Sequence, residues 1–125
     1  MENNKNWYKI AKNFEERNFL NHEIDSLTSI QNIIRKASKI IIQNASMSKR
    51  IINTILNEKI LSSFPSIKKV LSDAESVALD SPLKFQVFCQ NSMDEIENIL
   101  SELKDKRDKE TFGDEDKLKT KKGWI

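Results

Sequence analysis

The sequence predicts an all-α fold, a single-domain bundle of five or six helices over residues 1–110, followed by a polar, lysine-rich tail over residues 111–125. Glycine is absent from residues 1–111, and the only two glycines are Gly113 and Gly123. Tight hairpins and phosphate-binding loops use glycine to reach positive φ, so its absence disfavours both. The sequence therefore favours helices joined by polar turns. Apolar residues spaced by three and four positions also indicate helices.

The clearest helix lies in the first half of the chain. Its apolar residues form one stripe: Leu20, Ile24, Leu27, Ile30, Ile34, Ala37 and Ile41. We expect a separate, shorter helix before it, carrying Trp7, Ile10, Ala11 and Phe14. A third helix is expected after it, with Asn44 to Ser48 as the connection and with Ile51, Ile52, Ile55, Leu56 and Ile60 as its apolar residues.

Two prolines predict the starts of further helices, because proline suits the first helical turn. Pro65 follows Ser63 and Phe64, and Pro82 follows Asp80 and Ser81. The segment after Pro82 is ambiguous, since Leu83 to Cys89 also alternates as a strand would. We predict helix, because no other segment offers a partner strand. Ser92 and Glu95 form a capping-box pattern, which predicts that a last helix begins there.

The composition indicates a folded protein that stays in the cytoplasm. The chain is 38% hydrophobic and 32% charged, enough apolar material for a core and a charged coat. Its longest apolar runs are short, such as Ile40 to Ile42, whereas a bilayer span takes about twenty residues. The first residues lack the apolar stretch of a secretory signal. Cys89 is the only cysteine, so no internal disulfide forms.

Residues for catalysis or metal binding are scarce. His22 is the only histidine, and near the start of the long helix it is expected to have a surface or capping role. Cys89 follows apolar neighbours and is expected in the core. Asp94, Glu95 and Glu97 could hold a cation, but we interpret them as complementing the dipole at a helix start. We predict no catalytic, cofactor-binding or metal-binding residues, and no enzyme.

Charge is unevenly distributed along the chain, whose net charge is +2. Residues 26–72 contain eight basic residues and only one acid, Glu58. The candidate contact patch comprises Arg35, Lys36, Lys39, Lys49, Arg50, Lys68 and Lys69. Three interpretations stay open: the patch meets a nucleic-acid backbone, an acidic protein surface, or the acidic last helix of the same chain.

The last residues combine lysines with an aromatic and an aliphatic side chain. The candidate docking residues are Lys119, Lys121, Lys122, Trp124 and Ile125. Such a segment suits docking to an acidic partner or to RNA. The alternative is a solvated tail with no binding role.

We therefore expect a non-enzymatic helical interaction or assembly protein, a small subunit of a larger complex that binds another protein. The alternative is a small nucleic-acid-binding protein that uses residues 26–72. Assembly with further copies of the same chain also fits. We expect no membrane partner and no cofactor.

Overall fold

The computed structural model describes the backbone of residues 2–121 and the side chains of residues 14–109. The protein is 89% helical, and the described residues contain no strand. The all-α class is therefore confirmed. The α-helices are α1 (Glu2–Ile40), α2 (Ala45–Leu56), α3 (Pro65–Val77) and α4 (Pro82–Lys121), and a short 3₁₀ helix spans Lys59–Ser63.

The predicted number of helices, five or six, is wrong, because the described chain forms four α-helices. One reason is that α1 continues where two helices were expected. No proline or glycine interrupts residues 2–40. Phe14 is 63% exposed, whereas Leu20 is buried. The apolar residues before Phe14 and after Leu20 follow different stripes because the exposure of the helix changes between them, and not because one helix ends there.

The second unexpected continuation is at Ser92, where the capping-box pattern predicted a new helix. Ser92 is fully buried inside α4. Its hydroxyl donates to the carbonyl oxygen of Cys89 at 2.7 Å, within the same helix. The hydroxyl therefore bonds backward along a continuous helix, and Asp94 and Glu95 lie in mid-helix and not in a first turn.

The predicted helix starts at both prolines are confirmed, as is helix over Leu83 to Cys89. The connection between α1 and α2 is shorter and earlier than expected. Helix α2 begins at Ala45 because Asn44 caps it, its side-chain oxygen accepting from the backbone nitrogen of Met47 at 3.0 Å. This bond satisfies one of the free donors at a helix start.

The chain divides into two compact units. Unit 1 consists of residues 1–24 and 101–125, and unit 2 consists of residues 25–100. The expected division into residues 1–110 and 111–125 stays a prediction, because the side chains beyond residue 109 lie outside the described part.

Unit 2 holds the main core, to which every helix contributes. Its buried apolar residues are Leu27, Ile30, Ile34, Ala37, Ile41, Ile52, Ile55, Leu61, Ile67, Leu71, Ala74, Ala78, Phe85, Cys89, Met93, Ile96 and Leu100. The Ser48 hydroxyl donates to the Ala37 carbonyl at 2.8 Å and ties α2 to α1. The Ser66 hydroxyl donates to Glu95 at 3.0 Å and ties α3 to α4. Burial of the predicted stripe is confirmed at every position.

Unit 1 has a smaller set of described contacts. Leu20 and Ile24 of α1 are buried. On α4, the Arg107 guanidinium donates to the side-chain oxygen of Asn21 at 3.1 Å, which joins the two helices.

We expect Ile34→Asp to destabilise the protein by several kcal/mol, because Ile34 is fully buried and the new carboxylate would have no partner. Thermal unfolding measures the loss. The matched control is Ile33→Asp on the same helix, at a position that is 39% exposed. An equal loss in both variants would contradict the assignment of the stripe to the core.

Candidate functional site

A polar seam runs between α1 and α4 in unit 2. Gln31 is only 8% exposed. Its amide nitrogen donates to the Met93 carbonyl at 3.1 Å and to a Glu97 carboxylate oxygen at 3.0 Å, so both amide hydrogens are used. The Gln86 amide donates to the Ser38 carbonyl at 3.2 Å. These bonds fix α1 and α4 antiparallel, with residue 31 opposite 93 and residue 38 opposite 86.

A cleft of about 410 Å³ opens beside this seam. We call it the polar cleft, and it is lined by Gln31, Arg35, Ser38, Lys39, Gln90, Met93, Asp94 and Glu97. Helix α1 supplies the two basic side chains and α4 supplies the two carboxylates. The structure thus brings part of the predicted basic patch close to the acidic part of the last long helix.

The opposite charges in the polar cleft do not pair directly. The Arg35 guanidinium donates to Asn32 at 2.8 Å, and the Gln90 amide donates to Asp94 at 2.9 Å. Among the described side chains, no ion pair crosses the cleft; the ion pair that does form joins Arg107 and Asp108. One of the three open interpretations was that the basic segment pairs with the acidic helix of the same chain. The two lie close together at the polar cleft, but no ion pair joins them among the described side chains.

The other predicted basic residues lie at the surface of three helices. Lys36 on α1, Arg50 on α2 and Lys68 on α3 are exposed, as is Lys69, and Lys49 is half-buried. None of them takes part in an ion pair within residues 14–109. The structure brings Arg35 and Lys39 together at the polar cleft, whereas the remaining basic residues lie on other elements or outside the cleft lining.

A group of exposed apolar side chains, which we call the apolar end patch, lies at one end of unit 2. It consists of Ile42, Leu79, Leu83 and Val87, which are between 54 and 72% exposed. Leu83 and Val87 are one turn apart on α4. The bond between Gln86 and Ser38 sets the register that places the start of α4 beside the end of α1, where Ile42 follows.

The apolar end patch was missed in the sequence, although a signal existed. The first core positions of α4 are Phe85, Cys89 and Met93, which are spaced by four. Leu83 and Val87 are also spaced by four but are two residues out of step with that stripe. Two residues correspond to about 200° around a helix, so they point away from the core.

The single histidine and the single cysteine lie in different surroundings. His22 is exposed on α1. Cys89 is fully buried, and burial raises the pKa of its thiol to about 12. Within the described side chains, no group of histidine, cysteine and carboxylate residues could hold a metal ion.

A second cleft, of about 420 Å³, lies in unit 1. We call it the acidic cleft, and it is lined by Glu15, Glu16, Phe19, Leu20, Glu23, Leu103 and Lys106. Three carboxylates and one ammonium surround three apolar side chains, and the Phe19 ring is 64% exposed. No sequence pattern singles out these residues as a group, because they come from segments that are distant in the chain.

The candidate docking residues of the tail lie outside the described side chains. The backbone of α4 extends to Lys121, so Lys119 and Lys121 belong to that helix. Lys122, Trp124 and Ile125 lie beyond the described residues altogether. Their docking stays a prediction.

Comparison with known proteins shows no relationship: the chain matches no family model, no curated protein and no solved structure. Over the described residues, none of the helices has the length and apolarity needed to cross a bilayer. Functional inference therefore depends on the surfaces described above.

We expect the Cys89 thiol to react slowly with a disulfide reagent such as DTNB while the protein is folded. Only the thiolate reacts, and a pKa raised from 9.0 to about 12 lowers the thiolate fraction near pH 8 by about a thousandfold. Labelling before and after addition of urea measures the difference. Equally fast labelling of the folded protein would show that Cys89 is accessible.

Proposed function

We propose that this chain is a non-enzymatic helical interaction protein, a small cytoplasmic subunit that binds another protein through the apolar end patch. The observation that supports the proposal is the exposure of Ile42, Leu79, Leu83 and Val87 at one end of unit 2. Exposed apolar side chains grouped at one end of a folded unit are typical of sites where proteins bind one another. Two of these side chains lie on the solvent side of a helix whose opposite side already fills the core.

The charges beside the apolar end patch favour an acidic partner. Lys84 follows Leu83 in the chain, and Lys39 lies one turn before Ile42; both side chains are exposed. Arg35 and Lys36 extend the basic character along α1. A partner segment with apolar side chains between carboxylates would meet both features, and the charges would speed its association.

We expect Leu83→Glu combined with Val87→Glu to reduce capture of the partner protein by about tenfold or more, because these side chains would form the buried centre of the interface. The measurement is affinity purification of the tagged full chain from its native cells after nuclease treatment. Unfolding temperature should change little, since both side chains are exposed.

The matched control for this experiment is Ile33→Glu, an exposed apolar position of unit 2 outside the apolar end patch. It should keep partner capture. Equal capture of the partner protein by the double variant and by the unmodified chain would contradict the proposed surface. If the captured proteins are lost when nuclease is added, nucleic acid links them to the chain.

Nucleic-acid binding is the second candidate, and the exposed basic residues without ion pairs favour it. If Arg35, Lys36 and Lys39 neutralise phosphates, binding to RNA or DNA weakens with salt at a log–log slope of about −0.9 per phosphate for duplex DNA. If the chain binds a protein through the apolar end patch, we expect no binding to RNA or DNA in filter assays at low salt. Steep salt dependence, lost when all three residues are replaced by glutamate without a change in melting temperature, would favour the second candidate.

A further inference from the structure

The acidic cleft of unit 1 lacks a covering element among the described residues. Phe19 is 64% exposed although it lies beside Leu20 and Leu103 in the cleft lining. In unit 1 the described side chains come from two helices, and two helices bury side chains only along the seam between them. An apolar cleft with an excess of carboxylates favours an occupant that carries both apolar and basic side chains.

The chain itself contains a segment of that composition. Residues 117–125 read Lys117, Leu118, Lys119, Thr120, Lys121, Lys122, Gly123, Trp124 and Ile125. They include four lysines, three large apolar residues and no acid. Their charge is opposite to that of Glu15, Glu16 and Glu23 in the acidic cleft, where Lys106 is the one basic side chain among the described lining residues.

The same molecule cannot place this segment in its own acidic cleft. Leu103 lines the cleft, and α4 continues as a helix to Lys121. At 1.5 Å per residue, the end of α4 lies about 27 Å beyond Leu103 along the helix axis, and about 22 Å beyond Lys106, the lining residue of α4 nearest to that end. The four residues that follow span at most about 14 Å when extended, so they do not reach back. A second copy has no such restriction.

We propose that two copies of this chain form a symmetric dimer in which residues 117–125 of each copy bind the acidic cleft of the other. Within each copy the cleft and the segment are separated along α4. Antiparallel alignment of two such copies brings each segment opposite the cleft of its partner, so one arrangement makes both contacts. This is the self-complementary pattern of a two-fold interface. The dimer does not depend on the apolar end patch.

The test is a reciprocal charge exchange, read by analytical ultracentrifugation of the full chain. One variant carries Glu15→Lys, Glu16→Lys and Glu23→Lys. The other carries Lys119→Glu, Lys121→Glu and Lys122→Glu. Each variant alone should be monomeric where the unmodified chain is dimeric, with a dissociation constant raised by at least about tenfold, because the opposed side chains then carry like charges.

The mixture of the two variants gives the decisive result. It should form a one-to-one dimer, because both contacts then join opposite charges again. The matched control is Glu58→Lys, Asp80→Lys and Asp94→Lys, which makes the same change in charge at exposed positions of unit 2 and should remain dimeric. Thermal melts of every variant establish that each is folded.

Three outcomes would overturn the proposal. The first is an unmodified chain that stays monomeric at about 100 µM, where even a weak specific dimer would be populated. The second is two folded variants that fail to associate when mixed. The third is a Phe19→Ser variant whose dimerisation equals that of the unmodified chain, since the exposed ring would then take no part in the contact.

Discussion

Burial of the apolar stripe from Leu27 to Ile41, along α1 and the residue that follows it, is the constraint on which the rest of unit 2 depends. The stripe covers one side of α1, and the other helices of the unit contribute buried residues to the same core. Polar bonds then fix the register: Ser48 binds the α1 backbone, and Gln31 and Gln86 join α1 to α4. Burial of the Gln31 side-chain amide destabilises the fold little, because both of its hydrogens are bonded. If α4 were shifted along α1, the buried amide would lose these partners, and the fold would be destabilised.

The sequence predicted this core well, because burial follows helical spacing and every position of the stripe is buried. The sequence predicted the start of a helix correctly where a proline marks it, at Pro65 and Pro82. It predicted helix starts incorrectly where the residue pattern is compatible with a helix boundary but does not require one. Ser92 matches a helix cap in the sequence, but its burial places it inside a helix, and burial depends on packing from other elements. Too many helices were predicted because possible helix boundaries were interpreted as actual ones.

The candidate surfaces were predicted only in part, since the sequence reveals charge and not which side chains meet. Arg35 and Lys39 were predicted, but their position opposite Asp94 and Glu97 follows from the antiparallel pairing of α1 and α4. The acidic cleft joins residues from both ends of the chain. The proposed binding surfaces consist of side chains that the core does not use: apolar side chains out of step with the stripe, and basic residues without ion pairs among the described side chains.

Backbone hydrogen exchange across α4, resolved residue by residue by NMR, distinguishes one continuous helix from two helices that meet at Ser92. The continuous helix buries Phe85 and Ile96 on one side and exposes Leu83 and Val87 on the other. We expect amides 92–97 to exchange as slowly as amides 86–91, because all are bonded within one helix. Fast exchange confined to residues 92–95 would contradict it, since the first amides of a separate helix lack partners.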